Sequence, residues 1–261
     1  MENSSYQVVP FPKMRRLARD IGWLVRNRYT IRGLLEIDVT RPRELIREHK
    51  ARTGETLSFT GFLTKCVAQA VESDKLVHAM CNWRGNLIVF DEVDIGTLIE
   101  READGKKYPL AHIVRAANKK TFREIHDEIR QVQAKPMSDQ EANSLNIIIK
   151  LPQFVRRGML WAVSKSPSLR KQNTGTVALS AVGMFGSKSG WAIGPTLATL
   201  GVLVGGIAKK PCVVDDHVEI REILSMTLDF DHDIIDGAPA ARFAACLTDL
   251  IESGYGLMDS R

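Results

Sequence analysis

One stretch, LSMTLDFDHDIIDGAPAARF at positions 224–243, constrains the fold most, because its apolar spacing changes within a few residues. Apolar residues at every second position over 224–230 predict a strand with one apolar face. Asp236 and Gly237 then predict a turn. Apolar residues at helical spacing over 240–251 predict an amphipathic helix. A strand that leads through a short turn into a helix indicates an α/β protein.

His232 falls on the apolar side of that strand, four residues before Asp236. The alternation therefore carries an imidazole into an enclosed place at a strand-to-helix corner, where a rigid scaffold can hold a catalytic base. The same pattern also fits a core histidine whose nitrogens are hydrogen-bonded. Asp236 likewise fits a turn former or a helix cap. The local pattern leaves a catalytic role and a structural role both open.

The composition is that of a soluble globular protein: of 261 residues, 44% are hydrophobic and 26% are charged. The sequence has no run of about 18 apolar residues, so we predict no membrane span. The N-terminal residues lack the apolar centre of a secretory signal. The cysteines are scattered and form no CxxC pair, so we predict no metal site and no disulfide framework, and we expect a cytoplasmic location.

Charge is distributed unevenly around a net value of +5. Positions 142–214 hold nine Lys or Arg and no acid, whereas positions 215–261 hold eleven acids and three bases. The basic part suits phosphates, an acidic carrier or an anionic membrane surface, or it is simply a solvated face. We expect no nucleic acid as partner, because no nucleic-acid motif is present and the cations are not interleaved with a regular set of aromatics.

Local signals along the chain predict one domain with several helices and a large mixed sheet. Ser58 is expected to cap a long apolar helix, and Thr121 with Glu124 has the form of a capping box. Residues 13–28 predict an early helix. Residues 153–173 combine apolar residues with cations and no acid, which fits a helix lying on a membrane or, as we prefer, a helix packed on its own domain.

Several ordered motifs together resemble one family. The segment DFDHDIIDGAPAARF resembles the H-x-x-x-D-G signature of the acyltransferase components of 2-oxoacid dehydrogenase complexes. The segments KMRRLARDI, SFTGFLTKCVAQAV, VDIGTLIEREADGKKYPL and GTVALSAVGMFG are similar to other parts of the same family. The resemblance covers nearly the whole chain, apart from the first ten residues and roughly 141–173. It implies the chloramphenicol acetyltransferase-like fold, a two-layer α/β sandwich with a large mixed sheet.

The resemblance also implies roles for particular residues. His232 would be the general base that takes a proton from the thiol of coenzyme A or dihydrolipoamide, and Ser180 would donate a hydrogen bond to the tetrahedral oxyanion. Asp236 would be structural and would pair with an arginine of the first helix, Arg15 or in reserve Arg16. Gly237 would allow the tight turn.

The family further implies assembly and cofactors. We expect a homotrimer or a multiple of trimers, with His232 and Ser180 meeting between subunits. Coenzyme A is expected as a substrate, the lipoyl group on a separate lipoyl or acyl carrier chain, and no metal. A membrane surface is not the expected partner. The chain is thus interpreted as a single acyltransferase catalytic domain over residues 1–261, with a basic insertion at about 141–173 and neither a lipoyl nor a peripheral subunit-binding domain.

Several departures from the family set this chain apart as a stand-alone branch. Asp233 follows the motif histidine where the family usually has arginine, and AIGPTLATLG differs from the family's usual segment at that place. The leading hypothesis is transfer of an acyl group between a thioester and a thiol, or a hydroxyl acceptor. The alternative hypothesis is a non-catalytic oligomeric scaffold or regulator with the same fold.

Overall fold

A computed structural model describes residues 6–12, 15–103, 106–135, 147–181 and 189–257. The strands that it describes are β1 Thr30–Asp38, β2 Met80–Cys81, β3 Leu87–Ile88, β4 Ile95–Ala103, β5 Lys106–Val114, β6 Val177–Ala181, β7 Leu200–Val214 and β8 His217–Asp231. The longer helices are α1 Arg15–Val25, α2 Thr40–Thr53, α3 Phe59–Ser73, α4 Phe122–Ala134, α5 Gln153–Lys165, α6 Pro167–Thr174 and α7 Gly237–Glu252. Short 3₁₀ helices cover Lys75–His78 and Ala117–Lys119.

Six strands form one mixed sheet in the order β1-β8-β7-β6-β4-β5. The neighbours β1 and β8, β7 and β8, and β4 and β5 are antiparallel, whereas β6 is parallel to both β4 and β7. The strands β2 and β3 form a separate small hairpin. The expected α/β fold with a large mixed sheet is therefore confirmed.

The main core lies between one face of the sheet and the helices α3, α4 and α7. Capping fixes where two of these helices begin, as the sequence predicts. The Ser58 hydroxyl accepts a hydrogen bond from the Gly61 amide at the start of α3, and Thr121 with Glu124 completes a capping box at α4. The alternating apolar residues of β8, Leu224, Met226, Leu228 and Phe230, are all buried in this core.

The opposite face of β8 is also buried, which alternation alone does not predict. Its residues are polar: Ser225, Thr227, Asp229 and Asp231. The segment 189–199 crosses this face, where the Gly190 carbonyl accepts a hydrogen bond from the Gly206 amide (3.1 Å) and the Trp191 indole donates to the Leu35 carbonyl (3.0 Å). A polar strand face therefore lies under a loop instead of in solvent.

Helix α5 packs on α1 through a buried ion pair. Asp20 is fully buried, and its carboxylate accepts hydrogen bonds from Arg156 Nε (2.7 Å) and Arg157 Nε (3.2 Å). Arg156 also donates to the Leu151 carbonyl at 2.6 Å. The preferred interpretation of the basic segment, a helix packed on its own domain, is confirmed. Among the described residues, no helix has both the length and the apolar character needed to cross a bilayer.

Candidate active site

The turn after β8 is held by backbone hydrogen bonds on both sides of His232. The Asp231 amide donates to the Thr199 carbonyl and the His232 amide donates to the Tyr29 carbonyl, each at 2.9 Å. The amides of Ile234 and Ile235 both donate to the Asp231 carbonyl. These bonds fix the backbone at His232 before any substrate is present.

The imidazole of His232 is fixed by two contacts. Nδ1 lies 2.9 Å from the Ile235 carbonyl oxygen, and the ring stacks on Tyr29 with 5.0 Å between the centroids. Because a carbonyl only accepts hydrogen bonds, the neutral ring carries its proton on Nδ1 and keeps a lone pair on Nε2. The side chain is 25% exposed. The geometry therefore presents Nε2 as a base at a half-buried position.

Arg28 ties this turn to the segment that covers the sheet. Its guanidinium pairs with the Asp231 carboxylate and donates to the carbonyls of Thr196 (3.1 Å) and Ala198 (3.3 Å). The other Asp231 oxygen accepts a hydrogen bond from the Asp233 amide (3.3 Å). One arginine thus holds the residue before the base, and sequence reasoning missed it. Its position between the first helix and β1, near the end of β8 in the sheet, was the available signal.

The expected pair of Asp236 with Arg15 is not formed. Arg15 is exposed at the start of α1, and the ion pairs of the described residues include none from Asp236 to Arg15 or Arg16. The Asp236 side chain is 88% exposed, with Oδ1 3.8 Å from His232 Nδ1. The physical reason is the direction of the turn. It places Asp236 in solvent at the start of α7, and it is Asp231 that faces an arginine, Arg28.

The expected conformational need for Gly237 is also absent. Gly237 is not among the glycines with positive φ, and an added Cβ at this position would meet nothing within 4 Å. It is the first residue of α7, where φ is helical for any residue type. An alanine fits the turn within this chain.

Ser180 lies far from His232 within one chain. In the sheet it is opposite Leu203, and Leu203 is opposite Thr227, five residues before His232. Strand geometry then separates the two residues by about 16 Å along the sheet and about 10 Å across it. The Ser180 side chain is half-buried on the sheet face away from the main core. The GMFG part of the predicted oxyanion segment lies outside the described residues.

Asp229 is a second carboxylate that the sequence did not single out. It is almost fully buried on the polar face of β8, and Arg32 Nε lies 3.1 Å from its Oδ1. That contact lacks hydrogen-bonding geometry, so both carboxylate oxygens remain without a hydrogen bond among the described residues. Burial raises the pKa of Asp229, and the charge of Arg32 only partly opposes the effect.

The cations expected to bind an anionic partner have partners inside the chain. Arg156 and Arg157 bind Asp20, and Lys171 lies 3.2 Å from a Glu92 oxygen and 3.4 Å from an Asp94 oxygen. Arg170 donates to the Leu197 carbonyl. These four cations of the acid-free stretch are therefore engaged within the chain, three of them by acids that are distant in sequence and Arg170 by a backbone carbonyl.

One cluster of side chains has the composition of a metal site, but its members are hydrogen-bonded to other protein groups. Glu55, His126 and Asp127 have ligand atoms within 4.8 Å of one another. Arg123 donates to both oxygens of Glu55, and hydrogen bonds from Arg123 hold the pKa of Glu55 at about 2. His126 Nδ1 accepts the Ser58 amide, so its Nε2 carries the proton toward Glu55. A cation would have to displace the guanidinium.

Residues 155–258 match the family described as 2-oxoacid dehydrogenases acyltransferase (catalytic domain). This stretch of the chain is thus similar to the catalytic domain of the 2-oxoacid dehydrogenase acyltransferases. The predicted resemblance is thereby confirmed, and the match takes in β6, β7, β8 and the His232 turn.

A curated relative is the dihydrolipoyllysine-residue succinyltransferase component of the 2-oxoglutarate dehydrogenase complex from Staphylococcus saprophyticus. It is 29% identical over 231 residues, which cover 85% of this chain and 47% of the relative. The chain therefore spans about half the length of the curated relatives it matches most fully.

Solved structures confirm the fold. The cubic core of the pyruvate dehydrogenase multienzyme complex superposes with a TM-score of 0.71 at 17% identity, covering 98% of this chain and 96% of that one. Chloramphenicol acetyltransferase superposes with a TM-score of 0.50 at 14% identity, covering 95% and 98%. The expected chloramphenicol acetyltransferase-like fold is confirmed at this level.

Proposed function

We propose that this chain is an acyltransferase that moves an acyl group between a thioester and a thiol, with His232 as general base. The observation that carries the proposal is the hydrogen bond from His232 Nδ1 to the Ile235 carbonyl, which leaves Nε2 free to accept a proton. The family relationship and the names of the curated relatives support the same reaction class.

The chemistry requires a base because a thiol with a pKa near about 8.5 is mostly protonated at neutral pH. His232 Nε2 takes the thiol proton as the sulfur attacks the thioester carbonyl. The tetrahedral intermediate then collapses and expels the other thiolate, which regains a proton from the imidazolium. No acyl-enzyme forms in this scheme, so the protein's task is to hold both thiols near one imidazole.

Ser180 is proposed to stabilise the oxyanion from a neighbouring subunit. The separation estimated from the strand register is too large for one substrate carbonyl to contact both residues of a single chain. A homotrimer, alone or in larger multiples, would place the serine of one subunit near the histidine of the next. The likeness to a multienzyme core supports an assembly of this kind.

Coenzyme A and a lipoyl group on a separate carrier chain are the proposed thiols, and no metal is required by the scheme. Asp236 and Gly237 are proposed to keep a structural role in the motif. Because the Asp236 side chain is exposed, it can contact a neighbouring subunit. We also propose one catalytic domain for the chain, with the basic segment 141–173 as part of it, and a cytoplasmic location.

The test is an acyl-transfer assay with a panel of acyl-coenzyme A donors and dihydrolipoamide as acceptor. His232→Ala should slow turnover by about 10²- to 10⁴-fold, and His217→Ala, at the exposed start of β8, should match the wild type. Equal rates for wild type and His232→Ala would remove the assignment. No activity with any donor, in a protein that still assembles, would favour the scaffold hypothesis.

A further inference from the structure

A mostly apolar cavity of about 300 Å³ lies between α1, α5 and α6. Neither His232 nor Ser180 lines it. Its apolar walls are formed by the side chains of Leu17, Ile148, Met159, Leu160, Val163 and Leu197. An apolar cavity of about 150 Å³ accommodates benzene, so this cavity accommodates a ligand of roughly ten non-hydrogen atoms.

Most polar side chains in the wall of the cavity already have partners inside the chain. The uncharged ones donate to backbone carbonyls of α5 or α6, from Ser164 at 2.7 Å, Asn173 at 2.8 Å and Thr174 at 2.9 Å. The charge of Arg156 is neutralised by Asp20. These groups therefore need no ligand to complete their hydrogen bonds.

Arg170 differs from them, because its charge has no acid partner among the described residues. A guanidinium has five N–H donors, and within the described part of the chain this one donates to the Leu197 carbonyl alone. The nearby Asp231 carboxylate is paired with Arg28 instead. Burial and the positive charge of Arg28 lower the pKa of Arg170 to about 10, so the side chain stays charged at neutral pH. A largely buried cation without a counter-ion is unfavourable, and an anionic ligand would supply one.

Arg170 also lies where the cavity opens. Together with Ser164 and Leu197 it lines both the cavity and a larger groove that reaches Asp231. A ligand can therefore place its charged end at the opening, in contact with the guanidinium, and its apolar part inside the cavity against α5.

We propose that this cavity binds a medium-chain carboxylic acid, with its carboxylate at Arg170 and its hydrocarbon chain against Leu160 and Val163. The guanidinium selects a carboxylate because the two groups form paired hydrogen bonds. The walls select a hydrocarbon chain, and the volume of the cavity matches octanoate. The site lies beside the proposed acyl-transfer centre and takes no part in the transfer, so it does not rest on the proposed function.

The experiment is calorimetric titration of the whole chain with octanoate, hexanoate, acetate and octanamide. Hexanoate should bind about 15-fold more weakly than octanoate, because each buried methylene contributes about fourfold in affinity. Octanamide has the chain but no charge, and it should bind about 10- to 100-fold more weakly, the loss of a charge-assisted hydrogen bond. Equal affinities for acetate and octanoate would indicate a site for any small anion and would overturn the proposal.

Two variants separate the role of the charge from that of the chain. Arg170→Gln should weaken octanoate binding by about 10- to 100-fold and leave the affinity for octanamide unchanged. Val163→Phe fills the cavity and should abolish the preference for octanoate over acetate. Arg41→Gln is the matched control, because this exposed arginine of α2 lies outside the cavity, and its affinity for octanoate should equal that of the wild type. If Val163→Phe does not fold, the ligand series on the wild type still tests the proposal.

Absence of octanoate binding at millimolar concentration overturns the proposal, as does an Arg170→Gln variant that binds octanoate like the wild type. A Michaelis constant for octanoyl-coenzyme A that rises in Val163→Phe, without binding of free octanoate, also overturns it and assigns the cavity to the acyl chain of a substrate. His232→Ala should bind octanoate as tightly as the wild type. The ligand site and the proposed transfer reaction therefore fail independently.

Discussion

The two ends of the central sheet differ in how much of a site one chain supplies. At the His232 end, backbone bonds, a stacked tyrosine and the Arg28–Asp231 pair fix the base completely. At the Ser180 end, a half-buried hydroxyl lies on the sheet face away from the core, far from His232 of its own chain. A general base needs an oriented ring, which a single turn provides. An oxyanion donor must lie within hydrogen-bonding distance of the substrate carbonyl at the base, which for Ser180 requires the His232 of a neighbouring subunit.

Subunit mixing tests that difference most strongly. Ser180→Ala should slow turnover by about 10²- to 10³-fold, because an oxyanion loses one donor. Combining inactive Ser180→Ala and His232→Ala chains under subunit exchange should restore about a quarter of the wild-type rate if sites form between neighbours of a random ring. The assay is acyl transfer before and after exchange. Recovery that stays at the level of the separate variants, with exchange verified by mass, would place both residues in one chain's site.

Breaking the Arg28–Asp231 pair should weaken the complete end of the sheet. Arg28→Gln leaves a largely buried carboxylate without its partner, so the free energy of unfolding should fall by about 3 kcal/mol. Turnover should fall as well, because the turn that orients His232 loosens. Arg15→Gln is the matched control, and this exposed residue should change stability by less than about 0.5 kcal/mol. Denaturant unfolding measures both, and equal losses would restore Arg15 as the structural arginine.

Two glycines sharpen the contrast between packed and open backbone. An alanine Cβ at Gly205 would lie 2.1 Å from the Gly190 carbonyl oxygen, so Gly205→Ala should cost about 1–3 kcal/mol by displacing the covering segment. Gly237→Ala should stay within about 0.5 kcal/mol in a separated subunit, because that position is open. Thermal unfolding compares the two. A large loss at Gly237 only in the assembled protein would indicate contact with a neighbouring subunit.

Asp229 gives the smallest effect and a pH signature. Its folded-state pKa is raised, so the unfolded chain binds fewer protons than the native protein between the two pKa values, and stability falls as pH rises through that window. Asp229→Asn removes this penalty and should be more stable than the wild type at neutral pH. The difference should vanish below the carboxyl pKa of the unfolded chain. A variant less stable than the wild type at pH 7 would make the Arg32 charge the dominant influence on Asp229.

The sequence predicts most of the fold but only part of the site. The Ser58 cap, the capping box at Thr121 and the apolar face of β8 are predictable, because each depends on residues that are close together in sequence. The Arg28–Asp231 pair and the buried polar face of β8 depend on which distant segment crosses the sheet. The spacing of apolar residues along the sequence does not predict such contacts. Arg156 is a second example of a contact that the sequence does not predict. It has no acid nearby in sequence, and it forms an ion pair with Asp20, 136 positions away.

The Asp20–Arg156 joint has a consequence for the order of folding. The two residues are separated by 136 positions, so the joint closes a long loop, whereas the β7–β8 hairpin forms through a short turn. Contacts of low sequence separation form first and distant ones later. The packing of α5 on α1, which meet at this joint, is therefore among the last features to form during folding. Trp23 in α1 and Trp161 in α5 would report this final step through a change in their fluorescence.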